Sequence, residues 1–76
     1  MMEEILAIYQ GYLAEAEPDS KAAVAYNEIV TILQNSTDVL TIKNRLHAAE
    51  LMSSTSEMQL IYQAARYRVE RILWQR

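Results

Sequence analysis

Apolar residues recur at intervals of three, four and seven positions through most of this chain, which is the spacing of side chains along one face of an α-helix. The pattern predicts four helices, over about residues 2–16, 20–34, 38–52 and 54–75. The last is the longest, and its predicted apolar face comprises Met58, Ile61, Tyr62, Ala65, Val69, Ile72 and Leu73. Its predicted polar face comprises Gln59, Gln63, Arg66 and Glu70. We expect this helix to organise the packing of the other three.

The apolar face of the last helix is wider than one neighbouring helix would cover. The residues that widen it are Leu60, Ala64, Tyr67 and Trp74. The other helices also carry apolar faces, whereas a chain of this size buries only about 60% of its unfolded surface. We therefore predict an all-α fold of three or four helices, arranged as an antiparallel hairpin or small bundle and completed by dimerisation. The sequence 1–76 is expected to form a single helical domain.

The ends of the predicted helices are indicated by residues that interrupt or cap helices. Pro18 cannot continue a helix begun before it, so Asp19 or Ser20 is expected to cap the second helix. The polar run 35–38 predicts a stop followed by a new N-cap. Because no glycine or proline enforces that break, one long bent helix over 20–52 is the alternative.

Two further local signals concern the last and the first helix. Ser54 and Glu57 fit the S-x-x-E capping box, in which each side chain accepts a hydrogen bond from the backbone N–H of the other residue. Gly11 interrupts the first helix at a cost of about 1 kcal/mol relative to alanine. We interpret this glycine as a site of close packing or an early helix stop, in preference to a functional hinge.

The net charge of −3 conceals two halves of opposite sign. Residues 1–38 contain seven acidic side chains and one lysine, a formal charge of −6, whereas residues 39–76 contain six basic and three acidic side chains, a charge of +3. Complementary charges favour antiparallel packing of the first half on the second, within one chain or between two. Because salt screens exposed charges, this attraction would select an arrangement more than stabilise it.

Residues with catalytic or metal-binding chemistry are scarce. The chain has no cysteine and a single histidine, His47, so it lacks the ligand set of a His/Cys zinc site and has no cysteine nucleophile. The serines cluster in 53–56, where capping accounts for them, and the acidic residues of 15–19 fit a solvated turn better than a calcium loop. There is no phosphate-binding loop, H-E-x-x-H or G-x-S-x-G motif. We predict a protein that is not an enzyme, with no catalytic residues, cofactor or metal.

The C-terminal segment carries the one pattern that suggests a ligand. Tyr67 and Trp74 are interleaved with the arginines Arg66, Arg68, Arg71 and Arg76. A basic helix with aromatic side chains can contact phosphates and stack on bases. The acidic composition, with an isoelectric point near 5.0, argues against nucleic-acid binding. The spacing of the arginines also argues against it, because they do not share one helix face.

The sequence also bears on location. No apolar run approaches the roughly 20 residues needed to span a bilayer. The segment Met1-Met2-Glu3-Glu4 is acidic where a signal peptide would be basic. We expect a cytoplasmic protein that does not associate with membranes.

Several short segments carry a resemblance that spans most of the chain. They are Ile5-Leu6-x-x-Tyr9-x-Gly11, Asp19-Ser20, residues 50–57, Ile61-Tyr62-x-x-x-Arg66 and Arg71-Ile72-Leu73. In their order they resemble a family of short all-helical proteins without an assigned activity, found in Gram-positive gut bacteria and their mobile elements. The resemblance implies a helical fold and no particular chemistry.

Because the apolar surface exceeds what so short a chain can bury, we predict a small non-enzymatic helical interaction module that self-associates as a homodimer. Its partner-binding residues are expected to include Tyr67, Arg68, Arg71 and Trp74, since large aromatic residues and arginine dominate binding energy at interfaces. The first alternative is a docking or regulatory factor for a different protein. The second is nucleic-acid binding through the arginine-bearing C-terminal helix.

Overall fold

The structure, a computed structural model, describes residues 2–75 and contains four α-helices in that range. They are α1 (Met2–Glu15), α2 (Lys21–Gln34), α3 (Val39–Met52) and α4 (Ser56–Trp74). The all-α prediction is confirmed, and no strand forms among the described residues. Each predicted helix boundary lies within about two residues of the observed one, the usual uncertainty of helix ends.

The turn between α1 and α2 is capped by Ser20, one of the two predicted candidates. The Ser20 hydroxyl accepts a hydrogen bond from the backbone N–H of Ala23 at 3.0 Å and donates to the Glu17 carbonyl at 2.7 Å. Asp19 instead adopts a left-handed backbone conformation with φ of 68°, which aspartate tolerates better than most residues. The chain therefore reverses at Asp19 and enters α2 through Ser20.

A non-helical segment separates α2 from α3, so the alternative of one long bent helix is wrong. The N–H of Asn35 closes α2 by bonding to the carbonyls of Thr31 and Ile32. Asp38 then caps α3, and its carboxylate accepts from the Thr41 N–H at 3.3 Å and the Thr41 hydroxyl at 2.7 Å. Polar capping alone ends one helix and starts the next here, without glycine or proline.

The predicted N-cap of α4 is wrong by one residue. Thr55, not Ser54, caps the helix, and the Thr55 hydroxyl accepts from the Met58 N–H at 3.2 Å. Glu57 is consequently the second residue of α4 and does not occupy the third position that the reciprocal capping box requires. The shift arises because Ser53 caps the end of α3, and the chain uses residues 53–55 to reverse direction.

The short connection makes α3 and α4 an antiparallel hairpin. The two helices form the most extensive contact in the described chain, and α2 packs across the inner face of α4. By contrast, α1 lies mainly on α2 and touches α4 at only a few positions. The buried core draws on all four helices: Ile5, Tyr9, Ala25, Ile29, Val30, Ile32, Leu33, Ile42, Leu46, Tyr62, Ala65 and Val69. None of the helices within residues 2–75 combines the length and apolarity needed to cross a membrane.

Gly11 lies within α1, and neither close packing nor an early stop explains it. The helix continues through it to Glu15, and a methyl group at the Cβ position would have no neighbour within 4 Å. Both predicted reasons for this glycine are therefore wrong: its position is an open, solvent-facing site on the helix surface.

We expect Gly11→Ala to stabilise the protein by about 0.5–1 kcal/mol, because alanine fits the helical backbone and restricts the unfolded chain more than glycine does. Urea denaturation followed by far-UV circular dichroism measures this change. The matched control is Ala7→Gly at another exposed position of α1, which should lower stability by a similar amount. A loss of stability in Gly11→Ala would show that the backbone at this position is not helical in solution.

Candidate interaction surface on helix α4

The outward side of α4 carries a line of exposed residues that the other helices leave uncovered. We call it the outer stripe, and it comprises Leu60, Ala64, Tyr67, Arg71 and Trp74. Leu60 is 64% exposed, Tyr67 49% and Trp74 74%. The intervals of four, three, four and three residues keep the stripe straight over about 21 Å of helix.

The neighbours of α4 explain why this line stays exposed. Val69 and Ala65 are fully buried, so their side of the helix faces the core. Arg66 contacts Glu50 of α3 on one flank, and Arg68 lies by Tyr9 of α1 on the other. With one flank facing α3, the other facing α1 and the inner face on the core, the outer stripe faces solvent.

Beside the outer stripe, α1 and α4 run antiparallel and leave a shallow groove between them. At one end Glu4 and Ile5 lie near Arg71 and Ile72. At the other end lies a cavity of about 290 Å³, lined by Tyr9, Tyr12, Tyr26, Leu60, Ile61, Ala64 and Arg68. Leu60 and Ala64 thus belong both to the outer stripe and to the wall of this groove.

Three tyrosines form the floor and far wall of that groove. Tyr9 and Tyr12 meet edge to face with ring centroids 5.6 Å apart, and Tyr26 lies 6.1 Å from Tyr9 and 5.4 Å from Tyr12. Burial raises the pKa of Tyr9, although the nearby charge of Arg68 acts in the opposite direction. Tyr9 is therefore a neutral phenol near pH 7, and the Arg68 guanidinium lies 5.8 Å from its ring centroid. The spacing of Tyr9, Tyr12 and Tyr26 is compatible with apolar helix faces, but nothing in it indicates that the three rings cluster.

The four predicted partner-binding residues divide between two surfaces. Tyr67, Arg71 and Trp74 lie together on the outer stripe. Arg68 turns towards α1 and lines the groove instead. Arg76, the last arginine of the predicted basic and aromatic pattern, lies outside the described residues.

Arg66 bridges two carboxylates at the edge of the outer stripe, and its guanidinium lies 5.0 Å from the Tyr67 ring centroid. Its Nε lies 3.1 Å from Glu50 Oε1, and its Nη1 lies 2.8 Å from Glu70 Oε1. The side chains of Arg66, Glu50 and Glu70 are only 16%, 18% and 10% exposed. Burial by itself lowers the pKa of Arg66, but hydrogen bonds to the two carboxylates and their charge outweigh burial and raise it. The Arg66 side chain thus takes part in an ion-pair network between α3 and α4.

The network corrects the predicted polar face of α4. Glu70, expected to face solvent, is buried, and the Arg66 side chain beside it is only 16% exposed. Both residues pack on the α3 side of the helix, where Glu50 supplies the second carboxylate. The C-terminal half of the predicted polar face is therefore an interface between helices, whereas Gln59 is exposed as predicted.

His47 lies on α3, and its side chain is 50% exposed with Nδ1 3.8 Å from Glu50 Oε1. Ser53 and Ser54 lie in the turn between α3 and α4, and Ser56 is the first residue of α4. Within residues 2–75, no three His, Asp or Glu side chains converge in a group able to hold a metal ion. The most prominent surface of the described chain is therefore the outer stripe with the adjoining groove.

Fold and surface together define a small all-α protein with an aromatic stripe along its longest helix. Comparison with known proteins found no matching family model, curated protein or solved structure. The resemblance to short helical proteins of gut bacteria therefore stays a prediction.

Proposed function

We propose that this chain is a non-enzymatic helical interaction module of the cytoplasm that self-associates through the outer stripe of α4. One observation carries the proposal: Leu60, Tyr67 and Trp74 are large, apolar and exposed, and they lie on a single line of one helix. Scattered exposed apolar side chains are normal on protein surfaces, whereas contiguous apolar patches indicate interaction sites.

The spacing supports a helix as the partner. Intervals of four and three residues form the seam of a coiled coil, in which Leu60, Tyr67 and Trp74 take one core position and Ala64 and Arg71 the other. A stripe of this shape fits another helix lying alongside it better than a flat surface or a small molecule.

The size of the patch sets the expected strength of association. Taking about 150–250 Å² for a large side chain, the exposed parts of Leu60, Tyr67 and Trp74 present roughly 400 Å² of apolar surface. This area lies within the range of about 300–600 Å² for the largest patch on a typical monomer, which is often functional. It is smaller than the roughly 800 Å² per partner of a standard stable interface, so we propose a reversible dimer.

The alternative of nucleic-acid binding is less well supported. Arg66 is committed to Glu50 and Glu70, and Arg68 lies against Tyr9 in the groove. Among the described arginines of α4, only Arg71 belongs to the outer stripe, although the Arg66 guanidinium also lies 5.0 Å from the Tyr67 ring centroid. A continuous basic face for phosphates is therefore not formed by these residues.

We expect the wild-type chain to change from monomer to dimer over the micromolar to millimolar range in sedimentation equilibrium. Trp74→Ser and Tyr67→Ser should each weaken association by about tenfold or more, because buried aromatic residues are frequent hot spots. Both side chains are exposed in the single chain, so the variants should keep the helical circular dichroism of the wild type.

The matched control is Leu51→Ala, which removes a 69% exposed apolar side chain from α3 and should leave association unchanged. A wild-type chain that stays monomeric at every concentration contradicts the proposal. That result would favour the docking-factor alternative, in which the outer stripe binds a different protein.

A further inference from the structure

We infer that the two copies pair with their α4 helices antiparallel, with each copy's Glu57 beside Arg71 of the other. This inference rests on the proposed self-association and adds the orientation of the partner. It follows from the charges at the two ends of the outer stripe.

Glu57 extends the stripe by one step towards the start of α4. It lies three residues before Leu60, is exposed, and occupies the same core position of the seam as Ala64 and Arg71. The seam therefore has an acid near its N-terminal end and a base near its C-terminal end. Within residues 2–75, the side chains of Glu57 and Arg71 take part in no hydrogen bond or ion pair.

These two charges distinguish the two possible orientations. In a parallel pair, Glu57 would face Glu57 of the other copy and Arg71 would face Arg71, so like charges would meet at both ends. In an antiparallel pair, each end brings together one Glu57 and one Arg71. Interhelical charge pairs help to set the orientation of paired helices, and like-charge contacts across an interface are costly.

Packing favours a twofold axis midway between Ala64 and Tyr67. In that register the small Ala64 of one copy faces the large Tyr67 of the other, and Leu60 faces the aliphatic stem of Arg71. Glu57 then lies about 4.5 Å along the helix axis from Arg71 of the other copy, within reach of two long side chains. The same register places Ser56 of one copy level with Gln75 of the other along the helix axis.

Cysteine cross-linking tests the orientation directly, because the wild-type chain contains no cysteine. Ser56 and Gln75 are exposed and lie at opposite ends of α4. The experiment uses the two single variants Ser56→Cys and Gln75→Cys. After mixing and mild oxidation, an antiparallel pair should give mainly the mixed disulfide, identified by its mass. Cross-linking of each variant mainly with itself would show a parallel pair and overturn the inference.

Charge exchange gives a second, independent measurement. Glu57→Arg and Arg71→Glu should each weaken dimerisation by about tenfold at low salt, because each creates like charges at both ends. The double exchange Glu57→Arg/Arg71→Glu should return affinity to within about threefold of wild type, and the differences should shrink at high salt. Equal affinities for all four chains would contradict the pairing of Glu57 with Arg71.

Failure of the proposed self-association and failure of the antiparallel pairing give different results. A wild-type chain that never dimerises removes the proposed function itself. A wild-type dimer that forms no disulfide with either variant or their mixture retains self-association but excludes the outer stripe in this register, which overturns the inference.

Discussion

Replacing Arg66 with methionine is expected to lower the free energy of unfolding by about 3 kcal/mol. Methionine keeps much of the volume and the helix propensity of arginine, so the main change is the loss of the guanidinium. Without it, the carboxylates of Glu50 and Glu70, only 18% and 10% exposed, would face each other with no positive charge between them. Two poorly solvated like charges destabilise the pairing of α3 with α4.

Urea denaturation at neutral pH measures this effect, with Arg45→Met as the matched control. Arg45 is an exposed arginine on α3, so the same substitution should change stability by less than about 0.5 kcal/mol. The triple variant Glu50→Leu/Arg66→Met/Glu70→Leu should recover most of the loss, because replacing a whole buried ionic network with apolar residues is often neutral or stabilising. If Arg66→Met alone were as stable as wild type, the network would be solvated and unimportant for stability.

The network also explains how α4 is held in one rotation. An apolar stripe that wraps more than half of a helix can turn by a few tens of degrees and still bury a similar area. Arg66 must remain within hydrogen-bond distance of Glu50 on α3, at 3.1 Å, which selects one rotation. In this rotation Leu60, Tyr67 and Trp74 face solvent. The ion pairs of Arg66 therefore help to determine which side of α4 forms the outer stripe.

Helix positions were predictable from the sequence because their causes are local. Ser20 and Asp38 each cap a helix through a side chain that reaches a backbone N–H three residues ahead. Ala65 and Val69 lie four residues apart on the predicted apolar face of α4, and both are fully buried. The one-residue error at Ser54 arose among four consecutive residues that can all cap a helix, where pattern alone does not choose.

The surfaces of α4 were not predictable in the same way, because they depend on where the other helices pack. Glu70 was predicted to lie on the polar, solvent-facing side of α4, but it is buried against α3. Trp74 belonged to the widened apolar face, yet no other helix covers it. The excess width of the apolar face was visible in the sequence, whereas which edge would remain exposed was set by the packing of α1 and α3.

Leu46→Ala is expected to lower the free energy of unfolding by about 2–5 kcal/mol, since it removes a fully buried side chain from the centre of α3. The lost transfer free energy adds to the cost of the cavity left behind, because neighbouring helices relax only partly. For a chain of 76 residues, typical stability is about 4–11 kcal/mol, so this single change removes a large fraction of the total. Thermal and urea unfolding followed by circular dichroism measure it.

Leu51→Ala provides the matched control, since it is the same substitution in the same helix at a residue that is 69% exposed. We expect it to change stability by less than about 0.5 kcal/mol. The two leucines are five residues apart, so they point to different sides of α3, and only its observed rotation buries the first and exposes the second. Equal losses in the two variants would mean that Leu51 is also covered, which would require α3 to take part in the dimer interface and would contradict the assignment of that interface to α4.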